Sequence, residues 1–97
     1  MAKSSLARLQ SWYVAQCNGD WEHQYGIKIE TTDNPGWFVE IDLENTPIAE
    51  RTFDPIERIS ESDHNWYSCR VEGGHFMAYC GPLLLDDVIS IFLDWSS

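Results

Sequence analysis

Five consecutive residues, Gly19 to His23, place two carboxylates, an indole and an imidazole close together in the chain. Asp20 and Glu22 could act as acid and base in hydrolysis, or Glu40 and Asp42 could pair as carboxylates across a hairpin. Glu22 and His23 cannot chelate one metal ion from a strand, because adjacent residues there point to opposite faces. We predict that the run mainly builds a turn in which Trp21 covers the edge of the core. Glu22 and His23 remain candidates for recognition.

Three cysteines, Cys17, Cys69 and Cys80, raise the alternative of thiol chemistry. The segment CRVEGG at 69–74 superficially resembles the anion-binding loop of rhodanese-type sulfurtransferases. Such a loop needs convergent amides and basic side chains, which lower the pKa of the thiol, whereas Glu72 stands where positive potential would help. A buried structural thiol is the favoured interpretation. A small thiol- or carboxylate-dependent enzyme, a sulfurtransferase or a hydrolase, is kept as the alternative function.

Metal-binding patterns are lacking in the sequence. His23, His64 and His75 stand far apart, and no HxH, HExxH or CxxC spacing occurs. A metal site would need side chains to converge from distant parts of the chain. We therefore expect no metal, no cofactor and no catalytic residue.

Length and charge limit the classes of partner. With 97 residues the chain is predicted to be one domain over 1–97. Its net charge is −10 with only six Lys and Arg, too few for the basic footprint of a nucleic-acid or anionic-membrane ligand. A basic protein would instead be attracted. The first residues lack the apolar region of a secretory signal, and no apolar run approaches the roughly 18 residues of a membrane span, so we expect a cytoplasmic protein.

The first half of the chain predicts a helix and a hairpin. Ser4 or Ser5 can cap a helix that ends at Asn18-Gly19, with a buried stripe of Leu6, Leu9, Tyr13 and Cys17. The alternating runs 25–32 and 37–43 flank the turn DNPG and predict two antiparallel strands. In the second run, one face holds Trp37, Val39, Ile41 and Leu43, and the other holds Phe38, Glu40 and Asp42.

The second half predicts three further strands and a helix. A short strand is expected at 49–53, a helical turn or loop at 55–60, and two strands, 66–72 and 75–80, joined at Gly73-Gly74. The register leaves open whether Phe76, Ala78 and Cys80, or Met77 and Tyr79, share the face of Tyr67, Cys69 and Val71. A final helix is predicted to begin at Pro82 and to bury Leu84, Leu85, Val88, Ile91, Phe92 and Trp95. Its predicted exposed face holds Asp86, Asp87, Ser90 and Asp94.

These elements predict an α+β fold. An N-terminal helix, an antiparallel sheet of about four to five strands and a C-terminal helix satisfy the burial demands if both helices pack on one sheet face. The opposite face, with Glu40 and Asp42, would then be open.

The run WYVAQCNGDWEHQYGIKIETTDNPGWFVEIDL at 12–43 resembles the immunity protein 53 family of bacterial polymorphic-toxin systems. Its shared pattern has WY, then C-(D/N)-G-D-W-E-H, a Y-G-(I/V) strand, and D-N-P-G-W before V-x-I-D-L; Asn18 stands where Asp is common. The matching residues taken as structural are Trp12, Tyr13, Cys17, Gly19, Asp20, Trp21, Asp33, Asn34, Pro35, Gly36 and Trp37. The resemblance implies that the protein binds and neutralises a cognate toxin domain without catalysis.

Many toxins of such systems are nucleases, whose basic clefts an acidic protein could block by steric and electrostatic occlusion. From Glu40 to Asp63 the sequence holds eight acids against Arg51 and Arg58. The open face and this acidic segment are the preferred toxin-binding surface, although an ordinary solvated face is about as well supported. The candidate partner-binding residues are Glu22, His23, Glu40, Asp42, Glu44, Glu50 and Asp54. A general protein-interaction module is a third possibility.

Overall fold

The computed structural model describes residues 4–59 and 65–97 of the chain. The elements are α1 (Ser5–Gln16), α2 (Trp21–Gln24), β1 (Ile27–Thr32), β2 (Gly36–Asp42), β3 (Ile56–Arg58), β4 (Tyr67–Glu72), β5 (His75–Cys80) and α3 (Leu85–Ser96). The five strands form one antiparallel sheet in the order β1-β2-β5-β4-β3. The predicted α+β architecture is confirmed. Within the described residues, no helix has the length and apolar character needed to cross a membrane.

Helix α1 begins after Ser4, whose hydroxyl accepts a hydrogen bond of 3.1 Å from the amide of Ala7. Its buried face differs from the predicted stripe, because Leu9 and Trp12 pack inward while Leu6 and Tyr13 are exposed. The difference arises from the element against which α1 packs. The helix packs on α3, where Ser5 and Ser90 share a hydrogen bond of 2.6 Å, and that contact selects which side is buried. Ser90 therefore faces α1, although the sequence predicted it on the exposed face.

The predicted β1–β2 hairpin is confirmed, with residues 33–35 forming its turn. Val39, Ile41 and Leu43 are fully buried on the face that was predicted for them. Trp37 is partly buried on the same face and donates its indole N–H to the carbonyl of Pro82, at 3.1 Å. The hairpin therefore carries the central part of the core.

The connection from β2 to β3 corrects the predicted third strand. Residues 49–53 are not a strand, and the third strand is Ile56–Arg58. Ile48 lies in the core, and Phe53 packs edge-to-face on Phe76 at 5.5 Å, so the connection crosses the helix-covered side of the sheet. Only beyond that crossing does the chain reach the free edge of β4. The predicted turn or loop at 55–60 is wrong over Ile56–Arg58, and residue 60 lies outside the described residues.

Strands β4 and β5 form the predicted hairpin at Gly73-Gly74. Both glycines have positive φ, at 60° and 83°, as a two-residue turn of this kind requires. The pairing of Cys69 with Ala78 settles the register that the sequence left open. Phe76, Ala78 and Cys80 join the core face, so Met77 and Tyr79 lie on the other.

Helix α3 begins at Leu85 rather than at Pro82, because residues 81–84 form a turn closed by the amide of Leu84 and the carbonyl of Gly81 at 3.1 Å. Asp86 and Asp87 occupy its first turn, as predicted. The buried residues of the helix are Val88, Ile89, Phe92 and Leu93, of which Ile89 and Leu93 were not predicted. Phe92 contacts both Phe76 of the sheet and Trp12 of α1. Both helices therefore cover the same sheet face, as predicted.

Candidate functional site

The sheet face opposite α1 and α3 is a candidate surface, and we call it the open face. Side chains alternate along each strand, so the neighbours of the buried Val39, Ala78 and Cys69 point to this side. Its residues are Lys28, Glu30, Phe38, Glu40, Asp42, Glu57, Ser68, Arg70, Glu72, His75, Met77 and Tyr79. Four strands thus contribute to one surface, together with Glu57 of the short β3.

The centre of the open face is aromatic. Phe38 and Tyr79 are cross-strand partners, and their rings pack at a centroid distance of 4.7 Å and an angle of 36°. Met77, on the same strand as Tyr79, stands between Glu40 and Arg70 of the two neighbouring strands. Tyr79 is 40% exposed, and Phe38 and Met77 are half-buried. These neighbouring side chains form a contiguous apolar patch, a feature that marks interaction sites when it stays exposed.

Carboxylates surround this centre and outnumber the basic residues. The open face has five acids, Glu30, Glu40, Asp42, Glu57 and Glu72, against two bases, Lys28 and Arg70. Glu40 is the cross-strand partner of Lys28, and Arg70 lies 3.2 Å from Glu72. The surface is therefore acidic overall but contains local charge pairs.

Asp42 is engaged within the chain. One of its carboxylate oxygens accepts the amide hydrogen of Gly26 at 2.9 Å, and the other lies 2.6 Å from Nδ1 of His75. These contacts tie the beginning of β1 and the beginning of β5 to the end of β2. Partner binding by Asp42 remains a prediction, but its carboxylate already has a role in the scaffold.

The Gly19–His23 run folds into a turn followed by the single-turn helix α2. The side-chain oxygen of Asn18 accepts the amides of Asp20 and Trp21, and the carboxylate of Glu22 accepts the amides of Asn18 and Gly19 at 2.9 and 2.8 Å. Hydrogen bonds from the backbone amides of Glu22 itself, Asn18 and Gly19 lower the pKa of the Glu22 carboxyl. Gly19 has a φ of +90°, which glycine adopts without strain.

This turn positions Trp21, which is 2% exposed. Its indole N–H donates to the carbonyl of Glu44 at 2.8 Å, and its ring packs edge-on against Trp12. The carboxylate of Asp20 accepts a hydrogen bond from the side chain of Gln24, whereas Asn18 and Glu22 accept those of the backbone amides in the turn. His23 is exposed on α2. The run is thus a structural unit, and recognition by Glu22 and His23 remains a prediction.

The acidic segment does not extend the open face as expected. Glu44 lies in the turn that follows β2, with its side chain beside Gly74, but Glu50 and Asp54 belong to the connection that crosses the helix-covered side. Asp54 lines a shallow groove with Ile91 and Trp95 of α3, and Arg51 donates to the carbonyls of Trp95 and Ser97. The structure therefore brings Glu40 and Asp42 together on one surface and places Glu50 and Asp54 on another.

The thiols of Cys69 and Cys80 lack the setting of a nucleophile. Cys69 lies in strand β4 and is 1% exposed on the core face, so the segment 69–74 is a strand and a turn rather than an anion-binding loop. Burial raises the pKa of the Cys69 thiol to about 12 and that of Cys80 to about 11. Across residues 4–59 and 65–97, no three His, Cys, Asp or Glu side chains converge as metal ligands; His64 lies outside these ranges.

Sequence reasoning assigned Glu40 to the correct face of the sheet but missed the aromatic centre of that face. Phe38 was assigned to the face of Glu40, yet the partner ring of Tyr79 depended on the register of β5, which only the pairing of β2 with β5 decides. The available signal was the alternation in HFMAYC at 75–80. It places the small Ala78 on one face of the strand and Tyr79 on the other.

An accessible aromatic centre within an acidic sheet face, on a scaffold whose Cys69 and Cys80 are buried, is compatible with a protein that binds another protein. The model of the family described as Immunity protein 53 matches residues 6–97, nearly the whole chain. The chain belongs to the immunity protein 53 family. Membership supports an immunity function and implies binding of a cognate toxin protein. No curated protein and no solved structure matches the chain significantly.

Proposed function

We propose that this immunity protein neutralises a basic, nuclease-type toxin domain by docking its open face over the phosphate-binding cleft of the toxin. The observation that carries the proposal is the Phe38–Tyr79 pair, which stays accessible in the middle of a sheet face that α1 and α3 leave uncovered. In this proposal the protein acts in the bacterial cytoplasm, where such a toxin would meet nucleic acid.

The centre of the open face would supply most of the binding energy. Aromatic residues at the middle of an interface dominate binding when surrounding residues exclude water from them. Tyr79 also offers a hydroxyl for a hydrogen bond, and the flexible thioether side chain of Met77 adapts its shape to the partner. We therefore expect Phe38, Met77 and Tyr79 to account for affinity.

The carboxylates around this centre would supply attraction and selectivity. Glu30 and Glu40 lie on the same face as the aromatic pair and present charge of the sign that a phosphate-binding cleft attracts. A docked sheet would exclude nucleic acid both by its volume and by occupying the basic side chains that bind phosphate. The inhibition then needs no chemical step, in agreement with the non-enzymatic role that the family suggests.

The experiment is co-expression with the toxin domain encoded beside the immunity gene, scored by cell survival and by co-purification of the two proteins. The unaltered chain should protect and co-purify. Tyr79→Ala should weaken the complex by about 2 kcal/mol or more, as a central aromatic residue would. Tyr13→Ala is the matched control, because Tyr13 is 37% exposed, about as much as Tyr79, but lies on α1.

Two charge-reversal variants distinguish binding through the open face from binding through the connection between β2 and β3. Glu40→Lys reverses a charge on the open face, and Glu50→Lys makes the same change on the connection at the helix-covered side. Loss of protection with Glu40→Lys alone supports docking through the open face. Full protection with Tyr79→Ala and Glu40→Lys, combined with loss for Glu50→Lys, would move the interface to the connection. Asp42 is unsuitable for this test, since its carboxylate holds Gly26.

A further inference from the structure

Strand β1 forms one edge of the sheet, and among residues 4–59 and 65–97 it pairs with β2 alone. It has six residues, whereas β3 at the other edge has three. Natural proteins usually shorten, charge or cover such edges, because an unpaired strand is a template for pairing with another chain. Strand β1 is therefore long enough for its free side to pair with another strand.

The free backbone groups of β1 belong to alternate residues. The amide of Asp42 donates to the carbonyl of Gly26 at 3.1 Å, which fixes the alternation of the β1–β2 ladder. Lys28, Glu30 and Thr32 consequently direct their backbone groups toward β2. Ile27, Ile29 and Thr31 direct theirs away from the sheet, and within the described part of the chain no hydrogen bond engages them.

We propose that β1 pairs antiparallel with β1 of a second copy of the chain, with the two-fold axis at Ile29. In this register Ile29 faces Ile29 of the other copy, and Ile27 faces Thr31 on both sides. All these residues point their backbone groups outward, so three residue pairs form hydrogen bonds. Lys28 of each copy then lies opposite Glu30 of the other, at the closely spaced positions where side chains interact most.

Charge selects this register over its neighbours. A shift by two residues in one direction places Lys28 opposite Lys28, and a shift in the other direction places Glu30 opposite Glu30, and like charges directly opposite are destabilising. A shift by one residue opposes outward and inward backbone groups and breaks the ladder. Only the register centred on Ile29 combines full hydrogen bonding with two complementary charge pairs.

The same edge explains why the partner would be a second copy rather than a basic protein. Two chains of net charge −10 would repel each other if they met through their acidic surfaces. Strand β1 carries one Lys and one Glu, so a contact between two β1 edges is electrically neutral and self-complementary. On the helix side the edge borders an uncharged groove lined by Leu9, Gln10, Tyr13, Gly26 and Ile27, and Ile29 is 37% exposed beside it. Pairing would bury Ile29 of both copies.

Sedimentation equilibrium of the full chain without toxin, at about 0.15 M salt to screen the net repulsion, tests the proposal. The unaltered chain should associate reversibly to dimers. Lys28→Glu and Glu30→Lys each create two like-charge pairs in the dimer and should raise its dissociation constant about ten- to a hundredfold. The double variant K28E/E30K recreates both pairs with reversed sign and should restore association. Glu57→Lys is the matched control on β3 and should leave the dimer unchanged.

Circular dichroism establishes that each variant is folded. Ile29→Pro gives a second route, because it removes an outward N–H while leaving the bonds to β2, and it should weaken the dimer. A monomer at all concentrations, single variants that associate like the unaltered chain, or a double variant that stays as weak as the single ones would overturn the proposal. Since no toxin is present, failure here leaves the proposed function untouched.

Discussion

The thiols of Cys69 and Cys80 illustrate how burial decides the chemistry of a residue. Their pKa values of about 12 and 11 keep both protonated near neutral pH, where only the thiolate reacts. Alkylation of the folded chain near neutral pH should therefore modify Cys17, which is half-buried, and leave Cys69 and Cys80 unmodified until denaturant is added. Mass spectrometry of digested protein locates the label.

The substitution Cys69→Ser tests the same point through function. The variant should still protect against the toxin, because the Cys69 thiol fills space in the core rather than reacting. A small loss of stability is expected from the polar hydroxyl at a buried site, of about 1–3 kcal/mol. Rapid alkylation of Cys69 in the folded chain, or sulfur transfer that disappears with this substitution, would favour the enzyme alternative.

The carboxylate of Glu22 predicts a pH effect. Backbone hydrogen bonds hold its folded-state pKa below the unfolded value, so its contribution to stability is present above the unfolded pKa and is lost as the pH falls through the folded pKa. Glu22→Gln should lower the unfolding temperature near neutral pH, because an amide cannot accept both hydrogens in the same way. The difference between the two proteins should shrink on acidification.

Thermal unfolding between neutral and strongly acidic pH measures this difference, and Glu50→Gln, on the exposed connection, is the control. A constant difference at every pH would show that Glu22 acts through packing rather than through its charge.

Among the elements, the start of β2 depends on close approach of two backbones. A Cβ at Gly36 would overlap the carbonyl oxygen of Cys80 on the neighbouring strand, so Gly36→Ala must separate β2 from β5 or bend one of them. We expect a loss of about 1–3 kcal/mol in the free energy of unfolding, measured with urea. Gly26→Ala is the matched control, since nothing lies within 4 Å of its Cβ and its φ is not in the left-handed region.

Gly26→Ala should change stability little or raise it slightly, by reducing the entropy of the unfolded chain. Equal losses for the two substitutions would mean that the strands tolerate the extra carbon at Gly36 and that the close approach is not required.

Local sequence signals predicted the two hairpins, whose paired strands are neighbours in the chain. The β1–β2 and β4–β5 hairpins followed from alternation and from the turns at 33–35 and 73–74, because each pairs neighbouring stretches of chain. The third strand at Ile56–Arg58 could not be placed this way. Its position depends on the number of residues that the connection needs to cross the core and reach β4.

Long-range packing also decided what the sequence left ambiguous. Helix α1 buries Leu9 and Trp12 because α3 lies beside it, and nothing within residues 4–19 selects that face over the one with Leu6 and Tyr13. The candidate site shows the same division. Glu40 and Phe38 were assigned to their face from the alternation of β2 alone, whereas Tyr79 joined them only through the pairing of β2 with β5.

For the whole molecule, the net charge of −10 concerns the rate of binding more than its final strength. Complementary charge raises the rate at which proteins meet, and salt screens this attraction over about 10 Å at 0.1 M. The aromatic centre acts only after contact, when it is desolvated. The two features of the open face should therefore be separable in kinetic measurements with the proposed basic toxin.

Stopped-flow binding to a catalytically inactive toxin domain at increasing salt makes the separation. The association rate of the unaltered chain should fall about tenfold or more between roughly 0.01 M and 0.5 M salt, because both proteins lose their mutual attraction. Glu40→Lys should lower the association rate and its salt dependence, while Tyr79→Ala should mainly raise the dissociation rate. An association rate that does not change with salt would refute electrostatic attraction to a basic cleft. The effect of Tyr79→Ala on dissociation would still report whether the open face is the interface.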